Sequence, residues 1–145
     1  MSSPEAYDAI ETRLKAAWLA TAAWSDIALV FENEPFKTED SPKLFVYVEI
    51  FGDELFQESV GAPGNNLFQE TGIAYVHVMV PKDTGTRKAR SMAKAIANLF
   101  REQNTDGVMI DRMAIGNGDP GRDFPRYWAM TLSLNWYRRE FTSLP

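Results

Sequence analysis

Three stretches of this chain alternate their side chains at the two-residue period of a β-strand, and this pattern constrains the fold more than any other feature. The stretches are residues 43–51, 73–80 and 127–137. In the first, both sets of side chains include large apolar groups, which is typical of a strand covered on both faces. The third alternates large apolar with smaller polar residues, as a half-buried antiparallel strand does. A sheet built on these strands is the predicted centre of the fold.

Two helical segments accompany the strands. The first, ending at about residue 22, begins with Ser3-Pro4-Glu5, which supplies an N-cap, a proline in the first turn and an acid that complements the helix dipole. The second is predicted over residues 86–102, with Thr84 or Thr86 as its cap. Weaker strands are predicted at residues 27–31, 54–60 and 108–115. This order predicts an α+β fold with a mixed or antiparallel sheet of about five strands and two helices packed on one face.

A length of 145 residues fits a single domain over residues 1–145. Within it we expect flexible loops at about 61–72 and 116–126 and a C-terminal tail at 140–145. The first loop is long for a compact domain, and its apolar residues are Leu67 and Phe68. Two interpretations are open: these side chains form a docking element at the loop tip, or they fold back onto their own sheet.

Composition excludes several classes of protein. The chain has no cysteine, which removes disulfides, thiolate metal sites and cysteine nucleophiles. The N-terminus has no signal-peptide pattern, and no apolar run approaches the ~20 residues that span a bilayer. The net charge of −5 argues against general nucleic-acid binding. The charge is uneven, because residues 1–60 hold twelve acids and four bases, whereas residues 61–145 hold eight acids and eleven bases.

No pattern in the sequence predicts catalysis, a metal site or a cofactor. The single histidine, His77, lies within a predicted strand, where a polar position on the less buried sheet face is the expected role. The acidic pairs lie in or beside loops without a metal-loop or glycosidase signature. The glycine turns at 61–64 and 81–86 lack the Gly-Lys-Ser/Thr ending of a phosphate-binding loop. The chain is therefore not expected to be an enzyme.

A basic stripe lies on the second predicted helix, opposite its apolar side. At about 100° per residue, its four side chains fall within a narrow arc: Arg87, Arg90, Lys94 and Arg101. Three interpretations are open: a solvated helix face, a contact with an acidic surface of a neighbouring copy, or a nucleic-acid contact. The last lacks the aromatic side chains that such surfaces interleave with their bases.

Several short motifs between about residues 30 and 138 resemble, in order and spacing, the tail terminator family of long-tailed bacteriophages, which is related to the lambda tail terminator. The motifs are Asn33-Glu34-Pro35-Phe36, the loop from Gly61 to Asn65 that closes at Gly72, the turn from Val80 to Gly85 before an alanine-rich helix ending in Phe100-Arg101, Gly107-Val108, and Tyr127-Trp128.

This resemblance implies a structural subunit without catalytic residues or cofactors. Such subunits form a ring, typically a hexamer, that caps the head-proximal end of the tail tube, stops tube polymerisation and docks the head-completion protein. The implied partners are other copies of the chain, the tail tube protein and the head-completion protein, with no membrane and no direct nucleic-acid contact. The implied location is the virion tail, assembled in the cytoplasm of the host bacterium.

Two alternatives remain at this point. One is another virion joint of similar fold, such as a head–tail connector or a tube subunit. The other is a small-ligand-binding or hydrolytic α+β protein, which requires a deep pocket with converging polar groups around His77 and Tyr75.

Overall fold

The structure is a computed structural model that describes residues 2–37, 42–117 and 124–143. Its elements are α1 (Pro4–Ala20), a short 3-10 turn (Ala22–Trp24), β1 (Ala28–Phe31), β2 (Phe45–Gln57), β3 (Leu67–Pro81), α2 (Arg87–Asn98), β4 (Val108–Asn117) and β5 (Tyr127–Phe141). The five strands form one sheet in the order β1-β2-β3-β5-β4. β1 runs parallel to β2, and the other neighbours are antiparallel. The predicted α+β class and the mixed five-stranded sheet are confirmed.

Both helices pack on the same face of the sheet, which we call the helix face. The strands present alternate residues to it, as their two-residue period predicted. The core joins buried side chains from α1, α2 and the strands, among them Ile10, Leu14, Ala93, Ile96, Val46, Val48, Val76, Val78, Leu132 and Leu134. The opposite face, which we call the open face, carries a smaller cluster built on Val30, Phe45, Met79, Tyr127 and Ala129.

The start of α1 is capped as the sequence predicted. The Ser3 side chain accepts a hydrogen bond from the Ala6 amide at 3.2 Å, and Pro4 occupies the first helical position. Of the two threonines predicted to cap α2, the structure selects Thr86, although its hydroxyl makes no cap bond. The Thr84 hydroxyl donates to the Pro81 carbonyl. The helix also ends at Asn98, four residues earlier than predicted, which leaves Arg101 in the turn that follows.

The region around the two glycines of the β2–β3 hairpin differs most from the prediction. β2 is one strand that joins the strands predicted separately at residues 43–51 and 54–60, with an irregularity in the pairing between Gly52 and Leu55. β2 ends at Gln57 and β3 begins at Leu67, so the loop covers residues 58–66 and not the predicted 61–72. Gly72 lies inside β3, where a Cβ atom would stand 2.3 Å from the Trp136 ring. This glycine permits a close approach and does not make a turn.

The other predicted loop and the predicted tail are also shorter. β4 includes Gly116 and Asn117, and β5 extends through Glu140 and Phe141. Residues 118–123 of the predicted loop 116–126, and residues 144–145 of the predicted tail, lie outside the described residues.

Candidate functional site: a projecting arm and a basic groove

Three strands continue past the buried core and form what we call the arm, made of residues 51–57, 67–72 and 138–141. β3 pairs with β2 as far as Gln57, with one irregularity between Gly52 and Leu55, and it pairs with β5 as far as Phe141. β1 pairs with β2 only up to Val48. Within the described residues, no strand covers the outer edge of the arm's β2 segment.

The arm exposes apolar and acidic side chains together. Phe51, Leu55 and Phe141 are 44%, 48% and 65% exposed. Asp53 and Glu54 lie between the first two and are also exposed. These apolar side chains lie on both faces of the arm, since Leu55 pairs with Glu70 on the helix face and Phe51 pairs with Ile73 on the open face. Exposed large apolar side chains with neighbouring charges are typical of a surface that contacts another protein.

A buried polar cluster ties the base of the arm to α1. Glu70 of β3 is only 3% exposed, and the Ser3 hydroxyl donates to its Oε1 atom at 2.5 Å. Arg138 of β5 places its Nη1 atom 3.7 Å from the same oxygen and 2.8 Å from Glu140 Oε2. Because a buried carboxylate requires partners, these contacts hold the arm's β3 and β5 segments against the start of α1.

The far end of the arm is also held by specific contacts. Arg139 Nε donates to Glu58 Oε2 at 2.9 Å, and this hydrogen bond raises the pKa of Arg139. The Thr142 amide donates to the Asn66 carbonyl, and the Leu67 amide donates to the Ser59 hydroxyl. The loop between β2 and β3 is therefore fastened to the strands on both sides of it.

Leu67 and Phe68 do not lie at the tip of a loop, so that interpretation of their position was wrong. Both belong to β3 and are half-buried within the arm. Leu67 pairs with Phe141, and Phe68 lies between Gln57 and Glu140. Their role in an interface stays a prediction.

The basic stripe is exposed along its whole length. Arg87, Arg90 and Lys94 lie on α2, and Arg101 lies in the turn after it. Arg90 donates to the Thr86 hydroxyl and Arg101 to the Asn98 side chain. No carboxylate within the described parts of the chain forms an ion pair with these four side chains. Their charges remain available to an acidic surface.

A groove of about 500 Å³ lies between the end of α2 and the edge strand β4, and we call it the basic groove. Its charged lining residues are Lys94, Arg101, Asp111 and Arg112. Its floor is apolar and includes Ala97, Ile110, Met113, Ile115 and Leu132. β4 pairs with β5 on one side only, so the groove runs beside an open strand edge within the described residues.

Comparison with known proteins identifies the family of this chain. The family model described as "Phage tail terminator protein" matches residues 5–136. The chain belongs to this family. A solved structure that carries a sequence label in place of a functional name superposes with a TM-score of 0.63 at 21% identity, covering 97% of each chain. At this identity the similarity shows the fold alone. The search of curated proteins gave no match.

Membership of the tail terminator family confirms the resemblance seen in the sequence and gives the chain a structural role in the phage tail. It also places the protein in the tail of the virion. Neither of the described helices is long and apolar enough to cross a membrane. Within the same described ranges, no group of three or more histidine, aspartate or glutamate side chains is placed to hold a metal ion.

His77 lies on the open face and contacts polar side chains, as the sequence predicted. Its Nδ1 atom lies 2.8 Å from Thr131 Oγ1, and its Nε2 atom lies 2.7 Å from Glu49 Oε1. The rings of Tyr47 and Tyr75 stack on either side at 6.0 Å. Among the described residues, the cavities of about 500 and 410 Å³ are lined by side chains other than His77 and Tyr75, so neither is the pocket that a ligand-binding protein would require there.

The sequence analysis did not predict the arm's exposed edge or the basic groove. The edge could have been predicted, because Asp53 and Glu54 stand between large apolar residues in a segment that continues a strand. The groove could not have been predicted, because it depends on β4 lying at the edge of the sheet beside β5.

Proposed function

We propose that this protein forms a ring, most simply a hexamer, that caps the head-proximal end of the tail tube. The ring stops tube polymerisation and docks the head-completion protein, so its partners are its own copies, the tube protein and the head-completion protein. Assembly takes place in the cytoplasm of the host bacterium. The observation that supports the proposal is the family match over residues 5–136. The arm and the basic groove give the subunit two unlike exposed surfaces.

A closed ring requires each subunit to present two different patches that fit each other. The strand order supplies them. β2, near one edge of the sheet, carries Glu49, Asp53 and Glu54 and no base. β4 forms the other edge, where Lys94 and Arg101, at and after the end of α2, line the basic groove. Opposite charges on opposite sides favour head-to-tail association and disfavour the pairing of like sides.

The basic stripe offers a direct test of this association. The double substitution Arg87→Glu with Arg90→Glu reverses two exposed charges on α2 that have no described carboxylate partner. We expect native mass spectrometry to show a loss of the ring, while circular dichroism shows an unchanged monomer fold. Raising the salt concentration is expected to weaken the wild-type ring in the same direction, because salt screens exposed charges.

The matched control reverses Lys82 and Lys88, which are exposed near the start of α2 but outside the stripe. This variant has the same change in net charge, so it should assemble as the wild type does. Unchanged assembly of the Arg87→Glu, Arg90→Glu variant would remove the stripe from the interface. Open tubes in place of discrete rings would favour a tube subunit over a terminator.

A further inference from the structure

We propose that the ring is closed by strand pairing between copies: the outer edge of the arm's β2 segment pairs with the outer edge of β4 in the next subunit. Leu55 of the arm then enters the basic groove of that neighbour. This inference rests on the proposed ring and names the surfaces that build it.

The two edges are the first argument. β2 has no strand partner beyond Val48 on its outer side, and β4 has none on its outer side, among the residues described. An open strand edge presents unpaired amide and carbonyl groups and is a template for another strand. The stretch of β4 from Met113 to Gly116 has neither a charge nor a proline that would discourage pairing.

The side chains at the two edges are complementary in charge. The arm segment 51–57 contains Asp53 and Glu54 and no base. The groove is lined by Lys94 and Arg101 at and after the end of α2, and by the neighbouring pair Asp111 and Arg112 on β4, so its lining carries a net positive charge. Such a match directs which edges meet and opposes the pairing of an edge with itself.

The side chains also face the correct way. Leu55 lies opposite Glu70 in the strand pairing, and residues directly opposite each other point to the same face of a sheet. Glu70 bonds to Ser3 at the start of α1, so both point to the helix face. The groove floor lies on that face as well, and its Ile115 is 40% exposed while Leu55 is 48% exposed. Pairing would bury both side chains in one contact.

Strand direction is consistent with a ring. β2, β3, β5 and β4 alternate in direction, so β2 and β4 run opposite ways within one subunit. The modest rotation between neighbours in a ring of several subunits preserves this relation. The intersubunit pair is therefore antiparallel, like most of the sheet that it extends.

Paired cysteines test the contact, because the chain has no cysteine of its own. Two variants are needed, Leu55→Cys with Ile115→Cys and Leu55→Cys with Met113→Cys, which sample two positions on the same face of β4. Within one subunit, β3 and β5 separate these sites by three strand spacings, about 14 Å. That distance exceeds the Cα separation of about 7 Å that a disulfide tolerates. Oxidation can therefore link only neighbouring copies.

We expect at least one pair to give a ladder of covalent multimers on a non-reducing gel. The ladder should end at the subunit number that native mass spectrometry finds for the ring. The control combines Leu55→Cys with Ala28→Cys, which places the second thiol at an exposed position of the opposite edge strand β1. This control should stay monomeric on the same gel.

The outcomes separate the two proposals. A ring without cross-links from either test pair overturns the strand-pairing contact and leaves the ring standing. A ladder of equal yield from the Ala28→Cys control shows random collision and also overturns the contact. A wild-type protein that is monomeric both in solution and at tube ends overturns the ring and this contact together.

Discussion

Replacing Gly72 with alanine places a methyl group where the sheet has no room for one. The new Cβ atom would lie 2.2 Å from the Phe51 carbonyl oxygen and 2.3 Å from Trp136 Cζ2. The first contact is with backbone in the paired strand β2, and the second is with a tryptophan that is 1% exposed. Neither group is the free end of a flexible side chain, so the strand itself has to move.

The magnitude follows from two opposing effects. Overpacking a buried site costs about 1–3 kcal/mol, and we expect the upper end because a backbone atom is involved. Alanine offsets up to about 1 kcal/mol of this cost by restricting the unfolded chain. The net loss of unfolding free energy is therefore about 2 kcal/mol, which lowers the melting temperature of a chain of this size by about 4–8 °C. Calorimetry or a thermal melt followed by circular dichroism measures this shift.

Gly116→Ala is the matched control, because nothing lies within 4 Å of a Cβ atom built there. It should leave the melting temperature unchanged or slightly raised. Trp136→Phe removes the ring atom nearest to the new methyl group, so in that background Gly72→Ala should cost about 1 kcal/mol less. A Gly72→Ala variant at least as stable as the wild type would refute the close-approach role of this glycine.

Two further substitutions test the polar contacts. Ser3→Ala removes the α1 cap and the hydroxyl that donates to buried Glu70, so the unfolding free energy should fall by about 2 kcal/mol in urea titrations. Glu32→Gln should raise the melting temperature at pH 7, because burial, the main cause, raises the pKa of Glu32, and glutamine still offers an oxygen to the Ile50 amide.

The controls for these variants are specific. Ser2→Ala changes an exposed neighbour of the cap and should have no effect, and an equal loss in both variants would contradict the role of Ser3. For Glu32 the sign depends on pH. The stability that the neutral carboxyl contributes is lost as pH rises through its raised pKa. The advantage of glutamine should therefore disappear below the ordinary glutamate pKa of 4.5, and an advantage independent of pH would contradict this explanation.

Much of the fold was predictable because its signals are local. The two-residue alternation at residues 43–51, 73–80 and 127–137 located the three longest strands, and Ser3-Pro4 located the start of α1. The end of α2 was placed too late. Its last turn tightens, since the Leu99 and Phe100 amides donate to the Ile96 and Ala97 carbonyls. The Leu99 carbonyl also accepts a hydrogen bond from Arg13 of α1, a contact between distant segments that the helical pattern does not show.

The glycines of the hairpin misled the sequence analysis for a related reason. Glycine usually marks a turn, but Gly52 and Gly72 stand opposite each other in paired strands, and Trp136 lies across Gly72. Nothing local connects residue 72 with residue 136. The four charges of the stripe were identified correctly as exposed, whereas the basic groove depends on strand order, which pairing between distant segments determines.

The central claim is that this chain forms a ring that ends the tail tube. Electron microscopy of tails assembled with and without the chain tests it most directly. With the chain present, the account predicts tubes of one length that carry a single ring at one end. Without it, the tubes should be overlong and of mixed length. Tubes of the same length distribution in both samples, with no ring at either end, would contradict the claim.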